Sequence, residues 1–214
     1  MSDCCNPRGY QDFFDEKQAR RSLRRYDKSG LDPMARSMVD YLVSRGVDGS
    51  TVLEAGGGIG AIQVELLKAG AARSVNVELS ESYERTASRL LAREGLGDRV
   101  DRRVGDFTQV APGLEADAVV MNRVICCYPF MERLVATGLG SARRFLAATF
   151  PRDRLAARAA MSIGNLYCKV TGVDFRSYMH PPEEIVATSR SDGFEPVHQD
   201  RDFIWNAVVF ERAG

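Results

Sequence analysis

The stretch Thr51–Gly60, TVLEAGGGIG, joins a short apolar run to a glycine-rich turn. Val52 and Leu53 are typical of a buried strand, and Glu54 closes the run with a carboxylate. A helical pattern begins at Ile59, so we predict a strand, a turn and a helix in succession. Glycines at such a turn let the main chain pass close to a ligand, and the helix start offers unpaired N–H groups. The stretch is therefore a candidate ligand-binding loop, of a kind that many α/β proteins have.

Strands and helices alternate through the rest of the chain. A polar strand at about 100–105 is typical of a sheet edge, and an apolar strand at about 117–122 is typical of a buried centre. A helix at Pro181–Asp192 precedes two strand-like runs, about 195–200 and 203–211, whose short connection implies antiparallel pairing. The remaining strands are predicted at about 51–55, 74–79 and 144–150. The pattern predicts an α/β protein with a mostly parallel sheet and an antiparallel C-terminal hairpin.

Two further carboxylates follow predicted strands. Glu78 ends the run SVNVE, and Asp106 follows a strand within RVGDF. Because ligands of open α/β sheets bind at the carboxyl ends of the strands, we expect both acids to lie near the glycine turn. The order of these words resembles the class I S-adenosylmethionine (SAM)-dependent methyltransferases over about residues 50–150. The resemblance implies a seven-stranded Rossmann-like sheet, SAM as the cofactor and S-adenosylhomocysteine as its product.

The resemblance assigns roles to the glycine turn and to the second strand end. EAGGG matches the acid-x-Gly-x-Gly word of the family, with Glu54 as the acid. It implies that Gly56 and Gly58 face the amino-acid part of SAM and its ribose. It also implies that Glu78 accepts hydrogen bonds from the ribose hydroxyls, although NAD enzymes carry an acid in a similar place.

The ends of the third and fourth strands are assigned in the same way. The resemblance implies that Asp106 binds the exocyclic amine of adenine while Phe107 lies beside the ring. It implies that Asn122 makes a polar contact near the methyl-transfer position. Taken singly, these residues also have structural readings, with Glu54 as a helix-dipole partner, Asp106 as a turn former and Phe107 as a core residue.

We predict that residues 1–48 form a helical cap and that residues 49–214 form the SAM-binding domain, with a helical insertion at about 152–180. Within the cap we predict helices at 11–29 and from Pro33, which Asp32 precedes as an N-cap. We also predict that Tyr26 reaches from the cap onto SAM. The RxxRRY word that ends at Tyr26 and the run Met179–Pro182 resemble bacterial small-molecule methyltransferases related to magnesium-protoporphyrin O-methyltransferase.

Two side chains are candidates for catalysis. His180 lies in a loop that leaves the carboxyl edge of the sheet, so it is a candidate general base, and helix capping is an equal alternative. Tyr128 is a candidate for orienting the acceptor, with core packing as the alternative. A base is needed only where the acceptor must lose a proton. The apolar insertion at 155–170 predicts a pocket roof and a hydrophobic or aromatic acceptor, with helix packing or a dimer surface as alternatives.

The charge and residue composition of the chain limits the kinds of partner that it is expected to bind. Lys and Arg together number 29, as do Asp and Glu, so zero net charge gives no electrostatic reason for a nucleic-acid partner. No apolar run reaches the ~18 residues of a membrane span, and we predict a cytoplasmic protein, monomeric or homodimeric. The five cysteines include the vicinal pairs Cys4–Cys5 and Cys126–Cys127, which we interpret as reduced thiols. A soft metal or metalloid site is the alternative for these pairs, but no ligand cluster is evident and no metal is predicted.

We therefore predict a methyltransferase that uses SAM and acts on the O, N or C atom of a hydrophobic or aromatic small molecule. One alternative is an NAD-type oxidoreductase, which Glu78 allows and which Asp106 and the terminal hairpin disfavour. Another is a SAM-binding protein of this fold that does not methylate.

Overall fold

The protein is described by a computed structural model over residues 7–214. One seven-stranded sheet runs through it in the order β3-β2-β1-β4-β5-β7-β6. Strands β1 to β5 pair in parallel, and β7 pairs antiparallel with both β5 and β6. The strands, β1 to β7 in chain order, are Thr51–Ala55, Arg73–Glu78, Val100–Val104, Ala116–Met121, Ala142–Pro151, Phe194–Arg201 and Trp205–Arg212. The predicted fold class, with its polar edge strand and apolar central strand, is confirmed.

Helices cover both faces of the sheet. The helices, α1 to α9 in chain order, are Pro7–Phe13, Glu16–Ser29, Pro33–Ser44, Ala61–Lys68, Glu84–Glu94, Phe107–Val110, Met131–Ser141, Leu155–Thr171 and Pro182–Ser191. Side chains alternate along a strand, so Val52 faces a core with α2 to α5, and Leu53 faces a second core with α6, α7 and α9. The carboxyl ends of β1 to β4 consequently open between the two helical layers.

The N-terminal helices differ from the prediction in one respect. The sequence predicts one helix over residues 11–29, but the helix is interrupted between α1 and α2. Asp15 takes the N-cap position of α2 and accepts a hydrogen bond from the Gln18 N–H at 2.7 Å, which favours a new helix start. Asp32 caps α3 as expected. Ala19 of α2 and Met38 of α3 are fully buried in the first core, so these helices pack firmly on the sheet domain.

The helical insertion also differs from the expected arrangement. The large apolar side chains of α8 face solvent, with Leu155 86 % exposed and Ile163 69 % exposed. The segment after α8 packs inward instead, because Phe175 is buried and stacks on Phe13 of α1 with ring centroids 4.2 Å apart. The insertion therefore supports the roof of the site through Phe175 and not through the apolar face of α8. Within residues 7–214, no helix combines the length and apolarity needed to cross a membrane.

Candidate functional site

The glycine turn bends over the end of β2 and rests on buried polar groups. The Gly56 N–H donates to the Val77 carbonyl at 2.8 Å, and positive φ angles of 59° at Gly56 and 56° at Gly58 require the conformational freedom of glycine. At Gly57 a Cβ atom would lie 2.6 Å from the carboxyl carbon of Glu54. The turn is therefore glycine-rich because it approaches the protein's own side chains closely, as well as leaving space for a ligand.

Glu78 holds the turn in place from the end of β2. One carboxylate oxygen accepts the Gly58 N–H at 2.8 Å, and the other accepts the Ser80 N–H at 2.9 Å. Burial raises the pKa of Glu78, while these two N–H groups and the charge of Arg102 oppose the shift. Each carboxylate oxygen retains a second lone pair. Glu78 is thus fixed in a position from which it can accept hydrogen bonds from two ligand hydroxyls.

Asp106 and Tyr128 form one hydrogen-bonded group at the end of β3. Asp106 caps α6, with one oxygen accepting the Thr108 N–H at 2.8 Å and the other accepting the Tyr128 hydroxyl at 3.0 Å. The Tyr128 hydroxyl also lies 3.0 Å from that of Thr108. Phe107, which is buried, begins α6 beside them. Tyr128 was predicted to orient the acceptor, and the structure places its hydroxyl on Asp106.

The end of β4 carries a residue that the sequence analysis missed. Arg123 has a φ of 58°, and among the described residues it is the sole non-glycine residue with positive φ. Its N–H donates to Thr149 Oγ1 at 2.7 Å, and Thr149 donates in turn to Asn122 Oδ1 at 2.8 Å. Its guanidinium lies 3.3 Å from Asp32 and 4.9 Å from the centre of the Trp205 ring. Backbone strain of this kind is concentrated at functional sites, but no local sequence signal reveals it.

These strand ends surround a cavity of about 270 Å³. Its roof includes Tyr10 and Phe14, and the Tyr10 hydroxyl donates to the carbonyl of Cys127. The predicted site residues that line it are Gly56, Gly58, Glu78, Asp106, Phe107, Asn122 and Tyr128. The cavity thus combines two carboxylates and an amide with an aromatic roof, which is a donor and acceptor set suited to a nucleoside.

Glu54 and Tyr26 line a neighbouring cavity of about 200 Å³, which shares the glycine turn, Asn122 and Arg123 with the first. Tyr26 donates its hydroxyl to Glu65 of α4 at 2.6 Å, and burial raises its pKa. Its predicted contact with SAM would therefore be made from this second cavity. Burial raises the pKa of Glu54 to about 8, although the charge of Arg102 and a hydrogen bond from Asn76 lower it.

His180 lies outside the lining of the first cavity. Its Nε2 atom is 2.8 Å from the carbonyl oxygen of Tyr128, and a carbonyl only accepts, so Nε2 carries the proton. The imidazole also stacks against Tyr178, with ring centroids 6.1 Å apart. In this geometry His180 ties the segment after α8 to the turn that carries Tyr128.

The described residues, 7–214, contain no group of three or more His, Cys, Asp or Glu side chains placed to hold a metal ion. Cys126, Cys127 and Cys168 are free thiols. The predicted thiols Cys4 and Cys5 lie outside the described residues.

Comparisons with known proteins agree with this geometry. Residues 53–144 match the family model described as a methyltransferase domain. No curated protein sequence matches the chain. Among solved structures, the chain is similar to magnesium protoporphyrin IX methyltransferase (ChlM) from Synechocystis PCC 6803 with bound SAH, at a TM-score of 0.71 and 21% identity, over 95% of this chain and 98% of that chain.

Two other solved structures share the fold. An O-methyltransferase family 2 protein from Planctomyces limnophilus, in complex with apigenin, is 17% identical with a TM-score of 0.66, over 91% of this chain and 62% of that chain. The [4+2]-cyclase SpnF is 14% identical with a TM-score of 0.62, over 83% of this chain and 80% of that chain. Identities at this level establish the fold alone.

Proposed function

We propose that the chain is a class I SAM-dependent methyltransferase that transfers the methyl group of SAM to a hydrophobic or aromatic small molecule. The match of residues 53–144 to a methyltransferase-domain model and the shared fold of the solved structures support this proposal. The observation that carries the proposal is the cavity at the carboxyl ends of β1 to β4, where Glu78 ends β2, Asp106 follows β3 and the glycine turn lies beside them. When bound, SAM supplies a sulfonium whose methyl carbon is open to in-line attack. The residues of the chain bind the cofactor, orient the acceptor toward the methyl carbon and shield both from water.

The residues present fit the cofactor. Glu78 would accept the ribose hydroxyls, and Asp106 would accept the exocyclic amine of adenine beside Phe107. Tyr128 stabilises Asp106 by donating to its second oxygen, so that the carboxylate keeps one orientation. Asn122 and Arg123, which line both cavities, would hold the amino-acid end. Such positioning is the main contribution of a protein to this class of transfer, since orientation lowers the barrier by ~7–11 kcal/mol in favourable model reactions.

The surroundings of β4 support a small apolar acceptor. Tyr10 and Phe14 close the cavity with aromatic surface, and Trp205 lies beside Arg123 at the start of β7. The solved structure in complex with apigenin has this fold, and its ligand is a flat aromatic molecule. A net charge of zero gives no support to a nucleic-acid substrate. The choice among O, N and C acceptors depends on an acceptor screen.

His180 enters the proposal as a positioning residue. Its Nε2–H is used by the Tyr128 carbonyl, so it supports the turn on which Tyr128 meets Asp106. An acceptor that already carries a reactive lone pair, such as a carboxylate or an amine, needs no base from the protein. Action in the cytoplasm, where thiols stay reduced, is part of the proposal. The exposed apolar side chains of α8 support a homodimer over a monomer.

A second candidate is a protein of this fold that binds SAM without methylating. The likeness to the [4+2]-cyclase SpnF favours it as a runner-up, because that name describes a reaction other than methyl transfer. The NAD-type alternative is disfavoured by the sheet. Dinucleotide-binding sheets continue in parallel in the order 3-2-1-4-5-6, whereas here the antiparallel β7 inserts between β5 and β6.

Calorimetric titration with SAM, S-adenosylhomocysteine and NAD tests the proposal. We expect micromolar binding of the two adenosyl ligands and none of NAD. Glu78→Ala and Asp106→Asn should weaken binding at least tenfold, while Glu184→Ala on the exposed side of α9 should leave it unchanged. Binding of NAD alone would refute the proposal. Tight binding of SAM without turnover on a broad panel of apolar acceptors would favour the second candidate.

A further inference from the structure

Cys126 and Cys127 place two thiols side by side at the first cavity, whose lining includes Cys127. In a strand, adjacent side chains point to opposite faces, but these residues lie in a 3-10 turn, Ile125–Cys127, which begins a few residues after β4. Their sulfur atoms are 3.8 Å apart, and both lie within 3.7 Å of the carbonyl oxygen of Arg123. Two sulfurs bonded to one soft atom at ~2.3 Å lie no more than about 4.6 Å apart, so both sulfurs of the pair can reach a common atom. The turn thus presents the sulfurs as a bidentate pair.

The surrounding structure fixes this turn. The Tyr178 N–H donates to the carbonyl of Cys126 at 2.7 Å, and the Tyr10 hydroxyl donates to the carbonyl of Cys127. Cys127 lines the first cavity together with Asn122 and Tyr128, whereas Cys126 is buried behind it. A small reagent that enters the cavity therefore meets Cys127 first and finds Cys126 within reach.

The electrostatics of the pair favour nucleophilic attack. The hydrogen bond between the sulfurs lowers the pKa of Cys126, helped by the charge of Arg123, and raises the pKa of Cys127. The thiolate is the nucleophile in reactions with soft electrophiles. One sulfur of the pair is accordingly the better attacking group, and the other retains its proton for transfer to a leaving group.

The number of protein side chains available to bind a soft element indicates which class of electrophile the pair can hold. A structural zinc or related soft cation takes four protein ligands, and among residues 7–214 no third His, Cys, Asp or Glu side chain completes the pair. An organic trivalent arsenical already spends one valence on carbon and requires two sulfurs only. Sulfur-rich sites prefer such soft elements.

We propose that Cys126 and Cys127 form a dithiol site that captures organic trivalent arsenicals from within the cavity and thereby closes it to ligands. In the reaction with an arsenoxide, the two S–H bonds break, both protons pass to the arsenical oxygen, and that oxygen leaves as water. Two As–S bonds form, the arsenic stays trivalent, and no oxidant or reductant is needed. The capture itself requires only the cavity, and its competition with SAM rests on the proposed function.

Phenylarsine oxide tests the site in the full-length protein. Because Cys4 and Cys5 form another vicinal pair, the experiment uses a Cys4→Ser, Cys5→Ser background. Intact-protein mass spectrometry should show one phenylarsenic group per chain, gained with loss of one water. A dithiol such as 2,3-dimercaptopropanol should remove it, and an equal concentration of a monothiol should not. Cys126→Ala and Cys127→Ala, each on that background and each checked for folding by circular dichroism, should abolish the dithiol-specific adduct.

The outcomes separate the two proposals. Absence of the adduct on the folded background protein, or its persistence in either alanine variant, would overturn the dithiol site. S-adenosylhomocysteine at saturating concentration should slow capture at least tenfold. Capture at an unchanged rate in its presence would uphold the reactivity of the pair and overturn the claim that capture closes the cofactor cavity. Calorimetry with S-adenosylhomocysteine on the unmodified protein reports separately on the proposed function.

Discussion

The substitution Glu54→Gln tests whether the acid beneath the glycine turn is neutral in the folded protein. Glu54 is 2 % exposed and accepts a hydrogen bond from the Asn76 side-chain amide at 3.1 Å. Burial raises its pKa from the ordinary 4.5 to about 8, against the lowering effects of Arg102 and Asn76. At neutral pH the folded protein therefore holds a proton on Glu54 that the unfolded chain has lost.

The sign of the effect follows from proton binding. A group whose pKa is higher in the folded state stabilises the fold fully below its unfolded pKa and loses that contribution as the pH rises to the folded pKa. Between these two values each pH unit costs about 1.36 kcal/mol for one group. From pH 5.5 to pH 7.0 the Glu54 contribution to the free energy of unfolding should fall by about 2 kcal/mol. Glutamine at this position has no proton to lose, so its contribution stays constant.

Urea unfolding followed by circular dichroism at several pH values measures this difference. We expect the free energy of unfolding of the natural protein to fall relative to that of Glu54→Gln by about 2 kcal/mol over the interval. Glu132→Gln, which changes an exposed acid of α7, should give a curve parallel to that of the natural protein. Parallel curves for the natural protein and Glu54→Gln would refute the argument, because Glu54 would then be ionised in both states.

Substitutions at three further positions, Arg123, His180 and Gly57, test the site. Arg123→Gln should weaken S-adenosylhomocysteine binding by about 10- to 100-fold and leave methylthioadenosine binding unchanged, because only the first ligand carries a carboxylate; equal losses in calorimetry would argue against this role. His180→Gln retains a donor for the Tyr128 carbonyl and should keep kcat within about threefold, whereas His180→Ala should lose more; equal inactivity of both would instead indicate a general base. Gly57→Ala should lower the free energy of unfolding in urea by at least ~2 kcal/mol through overlap with Glu54, while Gly97→Ala, where a Cβ meets open space, should cost much less.

Much of the fold could be predicted because its signals are local. The glycine turn, the alternating apolar runs and the short connection before β7 are each contained within a few residues, and strand ends in a parallel sheet necessarily share an edge. Those rules sufficed to bring Glu78, Asp106 and Asn122 to one cavity. Their roles toward the cofactor stay predictions until ligand binding is measured.

The remaining features depend on packing between distant segments. Periodicity indicated an apolar face on α8 but not the surface against which it would pack, and Leu155 and Ile163 face solvent. Tyr128 is adjacent in sequence to the turn after β4, yet its hydroxyl contacts Asp106, 22 residues earlier. The positive φ of Arg123 accompanies a hydrogen bond from its N–H to Thr149 on β5. No window of the sequence contains both partners of such a pair.

A row of three polar side chains lies beneath the glycine turn and supports it. Glu54, Asn76 and Arg102 are direct neighbours across β1, β2 and β3, and Arg102 donates to the Gly58 carbonyl at 3.0 Å. The turn that would hold the cofactor is therefore supported by hydrogen bonds and charge, and its position depends on the charge of the row. Ionisation of Glu54 adds a negative charge next to the cation of Arg102 and removes a proton from the row. Because a ligand cation near the turn would favour that ionised form, cofactor binding and Glu54 deprotonation should be coupled, and affinity should rise with pH over the same interval in which stability falls.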